Sequence, residues 1–420
     1  MIRRTVLLIA YHFPPFHGSS GVQRTLRFAQ HLPRFGWRPI VLTASPRAYE
    51  STARVKGNEI PRDLMVHRAF GLDAARQLSV FGRYPRLLAV PDRWTTWRFW
   101  AVPAAMRIIR EHKVDVVWST FPIATAHRIG LDVARRSGLP WVAEFRDPMW
   151  QGKEYPPEAR MNKAWQSLEA ETCNRAQRIV VTTPRAASEY ADRFAEFDQS
   201  RLVLIENGYD EETFQRASES LHTDAAPPPP GQTRRITLLH SGIIYKSARD
   251  PTQLFVAIAA LKDKGLVSSG ILQVVLRASG DEAEYGRDLE SLRIQDIVRL
   301  EPAIDYVGAL REMLTVDGLL ILQASNCNAQ IPAKFYEYLR ANRPIIALTD
   351  PAGDTARALE SAGVGLIARL DSAEDIQVAL MRCIEQIRNG TWSRAPQETV
   401  SRYSRQAQAG ELARVFTELT

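Results

Sequence analysis

One cation and one carboxylate stand three residues apart in a predicted helix, and this spacing offers the clearest chemistry in the chain. Lys334 and Glu337 follow Pro332, which the first turn of a helix tolerates because its missing N–H would be unpaired there. The N–H groups of that turn and Lys334 suit a phosphate, and Glu337 suits two ribose hydroxyls. The same spacing is typical of an ordinary amphipathic helix with an i,i+3 ion pair. The stretch therefore predicts either a nucleotide site or only an ion pair.

Two further cations, Lys246 and Arg249, precede a predicted helix that begins at Pro251. They follow Gly242, at the end of a predicted strand. Positive charge here suits a diphosphate that accumulates negative charge as a bond to one of its oxygens breaks.

A third candidate is the loop Gly18-Ser19-Ser20-Gly21, which lies between a predicted strand, Thr5–Tyr11, and a predicted helix. It lacks the G-x-G-x-x-G spacing of dinucleotide-binding loops. The glycines Gly18 and Gly21 allow backbone N–H groups to approach a phosphate at the helix start, although many such loops only turn the chain.

Three more polar residues follow predicted strands, namely His127, Arg146 and Asp147. In parallel α/β sheets ligands bind beyond the carboxyl ends of the strands, so all three are candidates for a site at that edge. A lone histidine at a helix start is usually structural, and neighbouring Arg and Asp residues usually pair locally. Their position at the carboxyl ends of the predicted strands is the reason to keep them as candidate site residues.

The segment from Arg54 to Lys113 is basic and rich in aromatic residues, with twelve Lys and Arg residues against five Asp and Glu residues. This composition suits an anionic membrane surface or an acceptor with phosphate and lipid parts. An equally good alternative is a solvated basic face over a Trp-rich core. No nucleic-acid-binding signature is present. The residues proposed for acceptor or membrane contact are Arg93, Trp94, Trp97, Arg98, Trp100 and Arg146.

The totals indicate a globular protein of two or three domains: 420 residues, 45% hydrophobic and 24% charged, with a net charge of +7. No apolar run reaches about 18 residues, so no membrane span is expected. The first apolar run predicts a strand rather than a signal peptide. Three widely spaced cysteines suggest reduced thiols in a cytoplasmic protein without a zinc site.

Strands and helices alternate along the whole chain, which predicts parallel α/β sheets. A Pro-rich stretch interrupts the alternation and marks a domain boundary. The predicted division is an N-terminal domain over 1–217, a linker over 218–232, a second α/β domain over 233–395, and a C-terminal helix over 396–420 that packs back on the first domain.

Taken together, these segments resemble the GT-B glycosyltransferases of family 4, in particular the bacterial cell-surface polysaccharide transferases. The matching segments cover nearly the whole chain: Tyr11–Pro15 with Gly18–Gly21, Trp141–Pro148, Ile205–Asp210, His240–Gly242 with Arg249–Pro251, and Ile331–Leu339. The resemblance implies two Rossmann-like parallel-sheet domains that face each other across a cleft.

The resemblance also implies roles for individual residues. Gly21 would lie against the donor phosphates, Arg249 would stand where the family has a diphosphate-binding lysine, and Glu337 would bind the ribose. The family's first paired glutamate would fall on Ala329, so its sugar contact would be absent or taken by Gln330 or Asn328. The remaining donor residues would be Gly18, Gly242, Ile331, Pro332 and Lys334. Ile243 occupies the family's arginine position, and Lys246 would replace that arginine. His127 or the Arg146-Asp147 corner would border the sugar and the acceptor.

The implied reaction is retaining sugar transfer from a nucleotide-sugar donor to a saccharide or polyprenyl-linked saccharide. The acceptor hydroxyl would attack on the face that the leaving group vacates, with neither metal nor cofactor. The enzyme would be cytoplasmic or peripheral on the cytoplasmic face of the inner membrane. Two alternatives are a GT-B-type sugar-nucleotide epimerase and a silent scaffold that binds a nucleotide sugar or a membrane. The basic Trp-rich segment disfavours the epimerase, and Ala329 slightly favours the scaffold.

Overall fold

Two compact units make up the chain. The computed structural model describes residues 4–16, 21–52, 60–79, 81, 83–84, 86–150, 158–194, 196–219, 221 and 234–420. Unit 1 contains Met1–Asn207 and Arg405–Thr420, and unit 2 contains Gly208–Ser404. Gly18 and most of the predicted linker, including its run of prolines, lie outside the described residues.

Each unit has one sheet in which all paired strands run parallel. The seven-stranded sheet of unit 1 has the order β3-β2-β1-β4-β5-β6-β7, and the six-stranded sheet of unit 2 has the order β10-β9-β8-β11-β12-β13. The strands are β1 Arg4–Ile9, β2 Trp37–Ala44, β3 Met65–Ala69, β4 Val116–Thr120, β5 Trp141–Phe145, β6 Arg178–Val181, β7 Leu202–Leu204, β8 Ile236–Ser241, β9 Leu272–Arg277, β10 Val298–Glu301, β11 Gly318–Leu322, β12 Ile345–Leu348 and β13 Leu366–Ala368.

Helices connect most successive strands and cover both faces of each sheet, as is usual for parallel connections. They are α1 Gly21–His31, α2 Ala74–Gln77, α3 Trp97–His112, α4 Ala124–Ser137, α5 Ala159–Arg175, α6 Pro184–Arg193, α7 Glu211–Glu219, α8 Lys246–Arg249, α9 Thr252–Asp263, α10 Glu282–Ser291, α11 Tyr306–Thr315, α12 Ala333–Ala341, α13 Asp354–Ser361, α14 Ala373–Asn389, α15 Gln397–Arg402 and α16 Arg405–Thr417.

The central strands are buried on both faces, which explains their continuous apolar sequences. In β1, residues 6–9 are completely buried, and their side chains alternate between two hydrophobic clusters. Val6 and Leu8 join the cluster that includes α1 and α16, whereas Leu7 and Ile9 join the cluster that includes α3 and α4. The prediction of parallel α/β sheets is therefore confirmed.

The C-terminal helix is part of unit 1. α16 packs against α1, and the Phe416 ring meets Trp37 edge-on at 5.3 Å. The single predicted C-terminal helix is in fact two, because α15 ends at Arg402 and belongs to unit 2. The division between units falls after Asn207, so α7 lies in unit 2, where it packs on α11.

Two elements of unit 1 differ from the sequence-based expectation. The edge strand β3 was not predicted, because its sequence, MVHRA, has no clear alternation and its side chains are mostly half-exposed. The helix predicted over 104–112 begins earlier, at Trp97, and contains Pro103. In the part of the chain that the structure describes, no helix is long and apolar enough to cross a membrane.

Candidate functional site

In unit 1, Arg146 lies directly over the start of α1. A Cβ atom on Gly21 would stand 2.1 Å from Arg146 Nη1, so only glycine leaves room for the guanidinium. Arg146 follows β5 and its Nε donates to the Phe121 carbonyl oxygen at 2.8 Å. A helix N-terminus and a cation thus meet at the carboxyl edge of this sheet, an arrangement that favours an anion.

A buried ion pair fixes the start of α1 against the sheet. Arg24 donates to Glu144 Oε1 from Nε at 3.0 Å and from Nη2 at 2.8 Å, and both side chains are almost completely buried. Arg24 also donates to the main-chain oxygens of Ile205 and Glu206, which follow β7. The pair therefore ties α1 to β5 and to the segment after β7.

His12 is a further residue at this edge, and the sequence reasoning gave it no role. Its ring stacks on Phe16 at 4.7 Å with an interplanar angle of 5°. Burial, together with the nearby positive charge of Arg146, lowers the pKa of His12 to about 3, so the ring is neutral near pH 7. Its position directly after the first strand, in the Tyr11–Pro15 motif, was the signal that could have identified it.

The Arg146-Asp147 corner is half-buried. Burial raises the pKa of Asp147 and Arg146 opposes that rise, so the two side chains interact electrostatically. The next turn is held by the buried carboxylate of Glu169, which accepts from the main-chain N–H groups of Met149 and Trp150 and from Tyr190 Oη. The corner therefore rests on a fixed turn.

His127 lies inside the core rather than at the surface of unit 1. It is 0% exposed, and its Nδ1 is 2.7 Å from Ser119 Oγ. Trp141 Nε1 donates to the same oxygen at 2.9 Å, which leaves the Ser119 hydroxyl hydrogen for the imidazole. Burial lowers the pKa of His127 to about 3. This placement favours a structural role over the predicted contact with sugar or acceptor.

In unit 2, a cluster forms where β8 ends and α12 begins. Lys334 is 9% exposed, and its Nζ is 2.9 Å from Nε2 of the buried His240. Gly242, with φ at +118°, turns the chain above it, so that a Cβ at this position would lie 3.5 Å from Lys334 Nζ. Ser241 N–H donates to Tyr338 Oη at 3.1 Å, which ties the same turn to α12.

Arg249 belongs to this cluster. Its Nη1 donates to the Ile243 carbonyl oxygen at 2.7 Å, and its guanidinium lies 5.3 Å from the centre of the Tyr245 ring. Burial lowers the pKa of Lys334 well below its usual value, and the charge of Arg249 lowers it further, while Glu337 opposes the shift. Two basic side chains, Lys334 and Arg249, therefore approach one glycine turn.

Lys246 points elsewhere. Its ammonium pairs with Glu284 of α10, and the side chain is 59% exposed. The hydrogen bond and charge of Glu284 raise the pKa of Lys246. Lys246 is thus engaged on the surface, and Arg249 is the cation that the structure brings to the turn.

Glu337 is half-buried on α12, and its Oε1 accepts from Tyr306 Oη of α11 at 2.7 Å. Before α12, Ile331 is buried in the core and Gln330 is exposed. The main-chain oxygen of Gln330 accepts from Nε2 of the buried Gln323 at 2.8 Å. This hydrogen bond anchors the turn before Pro332 to the end of β11.

A cavity of about 720 Å³ opens at the same edge of the unit 2 sheet. Its walls follow β11, β12 and β13 and reach the start of α9, and none of the predicted donor residues lines it. Sequence reasoning gave no indication of it, because its residues are far apart in the chain: Asp250, Thr252, Gln253, Gln323, Ala324, Ser325, Asp350, Pro351, Ala352, Arg369, Leu370 and Asp371.

The Arg- and Trp-rich segment divides between core and surface. Trp97 is completely buried, and Trp94 packs on the core with its Nε1 donating to the Ala48 carbonyl oxygen at 3.2 Å. Trp100 is 47% exposed and Phe99 63% exposed, and Trp100 meets Phe70 edge-on at 4.7 Å. The structure therefore assigns the first two tryptophans to the core and leaves Trp100 at the surface.

Two arginines of this segment, Arg93 and Arg98, have carboxylate partners. Arg93 pairs with Asp73 at 3.0 Å and with Glu50, and Arg98 pairs with Asp132. Among the described residues, no group of three or more His, Cys, Asp or Glu side chains is placed to hold a metal ion.

Comparison with known proteins agrees with this architecture. Residues 20–213 match the family model described as Glycosyltransferase Family 4. A search of curated protein sequences gives no significant match. The family match confirms the predicted resemblance to family 4 over residues 20–213, and the solved structures that follow confirm the predicted fold.

The sucrose-phosphate synthase of Thermosynechococcus elongatus superposes with a TM-score of 0.66 at 14% identity, covering 99% of both chains. HepE of Anabaena, solved in complex with UDP, gives 0.65 at 13% identity, covering 99% of this chain and 100% of the other. A UDP-N-acetylglucosamine 2-epimerase gives a lower TM-score of 0.52 at 12% identity, covering 100% and 95%. At these identities the likeness establishes the fold.

Proposed function

We infer that this chain is a GT-B glycosyltransferase of family 4, and propose that it transfers a sugar from a nucleotide-sugar donor to a saccharide or polyprenyl-linked saccharide with retention of configuration. The observation that carries the proposal is the convergence of Arg249 and Lys334 on the Gly242 turn, with Glu337 one helical turn further along α12. HepE binds UDP on the same fold, which supports a uridine donor.

In the proposed donor complex the diphosphate lies at the Gly242 turn. Arg249 and the N–H groups at the start of α12 stabilise the negative charge that grows on the leaving phosphate. Glu337 accepts hydrogen bonds from the ribose hydroxyls, exchanging its bond with Tyr306 for them. Gln330 and Ile331 follow the position at which family 4 has its first glutamate, and they border the sugar.

The acceptor hydroxyl attacks the anomeric carbon on the face from which the diphosphate departs. A phosphate oxygen of the leaving group accepts the hydroxyl proton, so the new C–O bond forms as the C–O bond to phosphate breaks. No side-chain nucleophile takes part. In unit 1, Arg146 lies over Gly21 at the start of α1 and Asp147 is its neighbour in the chain, and this cation and carboxylate suit a polar or phosphorylated acceptor.

The exposed aromatic cluster of Phe70, Phe99 and Trp100 supports a lipid-linked acceptor. Further along α3, Arg107 and Arg110 are exposed on the same helix. Aromatic side chains beside arginines suit the interface of a membrane with anionic lipids. The enzyme therefore acts as a peripheral protein on the cytoplasmic face of the inner membrane, in cell-surface polysaccharide synthesis.

A donor panel tests the proposal. The protein is incubated with radiolabelled nucleotide sugars and a membrane lipid extract, and the products are separated. Sugar moved to the lipid fraction supports transfer, and the anomeric configuration of the product tests retention. Isomerised donor without transfer would instead support an epimerase, the activity of one protein with this fold. Donor binding without any reaction would reject the proposal that the chain is an enzyme.

A further inference from the structure

Lys334, in unit 2, has a buried imidazole rather than a carboxylate as its hydrogen-bond partner. His240 Nδ1 lies 2.9 Å from the carbonyl oxygen of Leu320, which accepts hydrogen bonds only. Nδ1 must therefore carry the hydrogen in this contact. Nε2, 2.9 Å from Lys334 Nζ, is then an acceptor, and the imidazole is neutral.

A neutral partner does little to stabilise a buried ammonium group. Both side chains are at most 9% exposed, and removing an ion from water without an opposite charge is costly. The charged and titratable groups around Lys334 are His240 on β8, Arg249 on α8, and Glu337 and Tyr338 on its own helix. Arg249 repels a second positive charge, and Glu337 already accepts from Tyr306.

We propose that Lys334 is held uncharged against His240 in the free enzyme, and that it takes up one proton when a diphosphate binds at the Gly242 turn. The step is Lys–NH₂ plus one proton from the buffer giving Lys–NH₃⁺ beside the phosphate oxygens. His240 is a positioning residue in this account, because it fixes the direction of the amine through its tautomer. This inference rests on the proposed function of the turn as a diphosphate site.

The position of Lys334 explains why the proton arrives with the ligand. Its Nζ is already directed at the turn, where a Cβ on Gly242 would lie 3.5 Å away. A bound diphosphate adds negative charge beside the amine, and a charge-assisted hydrogen bond then stabilises the ammonium form. Donor affinity consequently depends on pH through a lysine, while the guanidinium of Arg249 stays charged throughout.

Isothermal titration calorimetry with UDP tests the inference. The full chain is titrated at pH 8 in buffers of different ionisation enthalpy, since the terminal phosphate, with a pKa of about 6, is fully ionised there. The dependence of the observed heat on the buffer gives the number of protons taken up. We expect a single proton per bound UDP in the wild type. Binding without proton uptake overturns the inference and leaves the proposed function intact.

Three variants assign the proton to its residue. Lys334→Met should abolish the uptake and weaken UDP binding roughly 10- to 100-fold, the loss expected for one charged hydrogen bond. Lys334→Arg should bind without uptake, because arginine is already protonated. Lys264→Met, on an exposed lysine at the end of α9, is the matched control and should keep both affinity and uptake. Uptake that persists in both Lys334 variants would assign the proton to another group and overturn the inference.

Inorganic diphosphate separates this inference from the choice of nucleotide. If it binds with proton uptake while UDP does not bind, the Lys334 mechanism holds and the uridine donor is wrong. If neither ligand binds, both the diphosphate site and the inference are rejected. A variant that fails to fold is recognised by its thermal unfolding profile, and the other Lys334 variant and the wild-type titration still decide the question.

Discussion

The guanidinium of Arg146 occupies the space that any side chain on Gly21 would require, with Nη1 only 2.1 Å from the ideal Cβ position. Gly21 opens α1, and Arg146 follows β5, so one glycine allows a cation to reach a helix start at the carboxyl edge of the sheet. Sequence reasoning proposed both residues separately, and the structure shows that they are in contact.

Replacing Gly21 with alanine should therefore displace Arg146 without unfolding unit 1. We expect transfer activity to fall about 10- to 100-fold, as when a positioned group near the reacting atoms shifts by an ångström or so. Thermal unfolding should change little. The control is Gly286→Ala in the interior of α10, where a Cβ meets nothing within 4 Å and helix propensity favours alanine. Full activity in Gly21→Ala would remove Arg146 from the site.

The neutral His127 should make unit 1 sensitive to acid. Its pKa is about 3 in the folded protein and 6.5 in the unfolded chain. Between pH 6.5 and pH 3 the unfolded chain therefore binds a proton that the folded protein does not bind. Stability present above pH 6.5 is then lost as the pH falls, by about 1.4 kcal/mol per pH unit for each such histidine.

Urea unfolding at pH 7.5 and pH 5 measures this loss. In His127→Asn the free energy of unfolding should be lower at pH 7.5, because a buried ring is lost, but should decline less towards pH 5 than in the wild type. The His112→Asn substitution, at a half-buried position at the end of α3, serves for comparison and should leave the pH dependence unchanged. An equal decline in all three proteins would show that His127 is already charged in the fold.

Arg249 and Lys246 stand three residues apart, and only the first is directed at the Gly242 turn. Arg249→Ala should reduce turnover strongly, by about 2 to 4 kcal/mol in activation free energy, if it stabilises the leaving diphosphate. Lys246→Ala should have a much smaller effect, because its ammonium pairs with Glu284 at the surface. Comparing kcat of the two variants under donor saturation tests this contrast. Equal losses would mean that Lys246 leaves Glu284 to reach the donor.

Glu337→Gln should weaken UDP binding roughly 10- to 100-fold, since it replaces charged hydrogen bonds to the ribose by neutral ones. Tyr306→Phe is the paired experiment, because it removes the group that occupies Glu337 Oε1 in the free protein. We expect this variant to bind UDP at least as well as the wild type. Isothermal titration calorimetry gives both affinities, and unchanged binding in Glu337→Gln would place the ribose elsewhere.

The fold was predictable because both of its signals are local. Buried parallel strands such as β1 have continuous apolar sequences, and the segments between them have helical periodicity. The edge strand β3 has neither signal. Proline is unfavourable inside a helix, so Pro103 made the first two turns of α3 unrecognisable in the sequence.

The sequence indicated which residues could form the site, but not how their side chains are arranged or buried. Lys334 and Glu337 lie on adjacent sides of α12 as their spacing requires, yet Lys334 is buried because the Ser241–Gly242 turn covers it. That cover comes from a strand almost a hundred residues earlier, and helical periodicity carries no information about it. The burial of His127 was unpredictable for the same reason, because its neighbours Ser119 and Trp141 come from other strands of the sheet.

The exposed end of α3 should bind membranes, while its buried tryptophans should not. Phe99 and Trp100 expose apolar surface beside arginines, whereas Trp97 is enclosed in the core. The double substitution Phe99→Ser and Trp100→Ser should therefore lower sedimentation with vesicles that contain anionic lipids several-fold, because burial of aromatic side chains at the interface is lost.

Thermal unfolding separates this effect from damage to the fold. The double variant should unfold near the wild-type temperature, whereas Trp97→Ser should unfold at a lower one, since a buried aromatic ring contributes several kcal/mol to stability. Val378→Ser, at an exposed apolar residue of unit 2, should sediment like the wild type. If the double variant also sediments like the wild type, the aromatic end of α3 is not the membrane contact, and the acceptor reaches the enzyme from solution or through another surface.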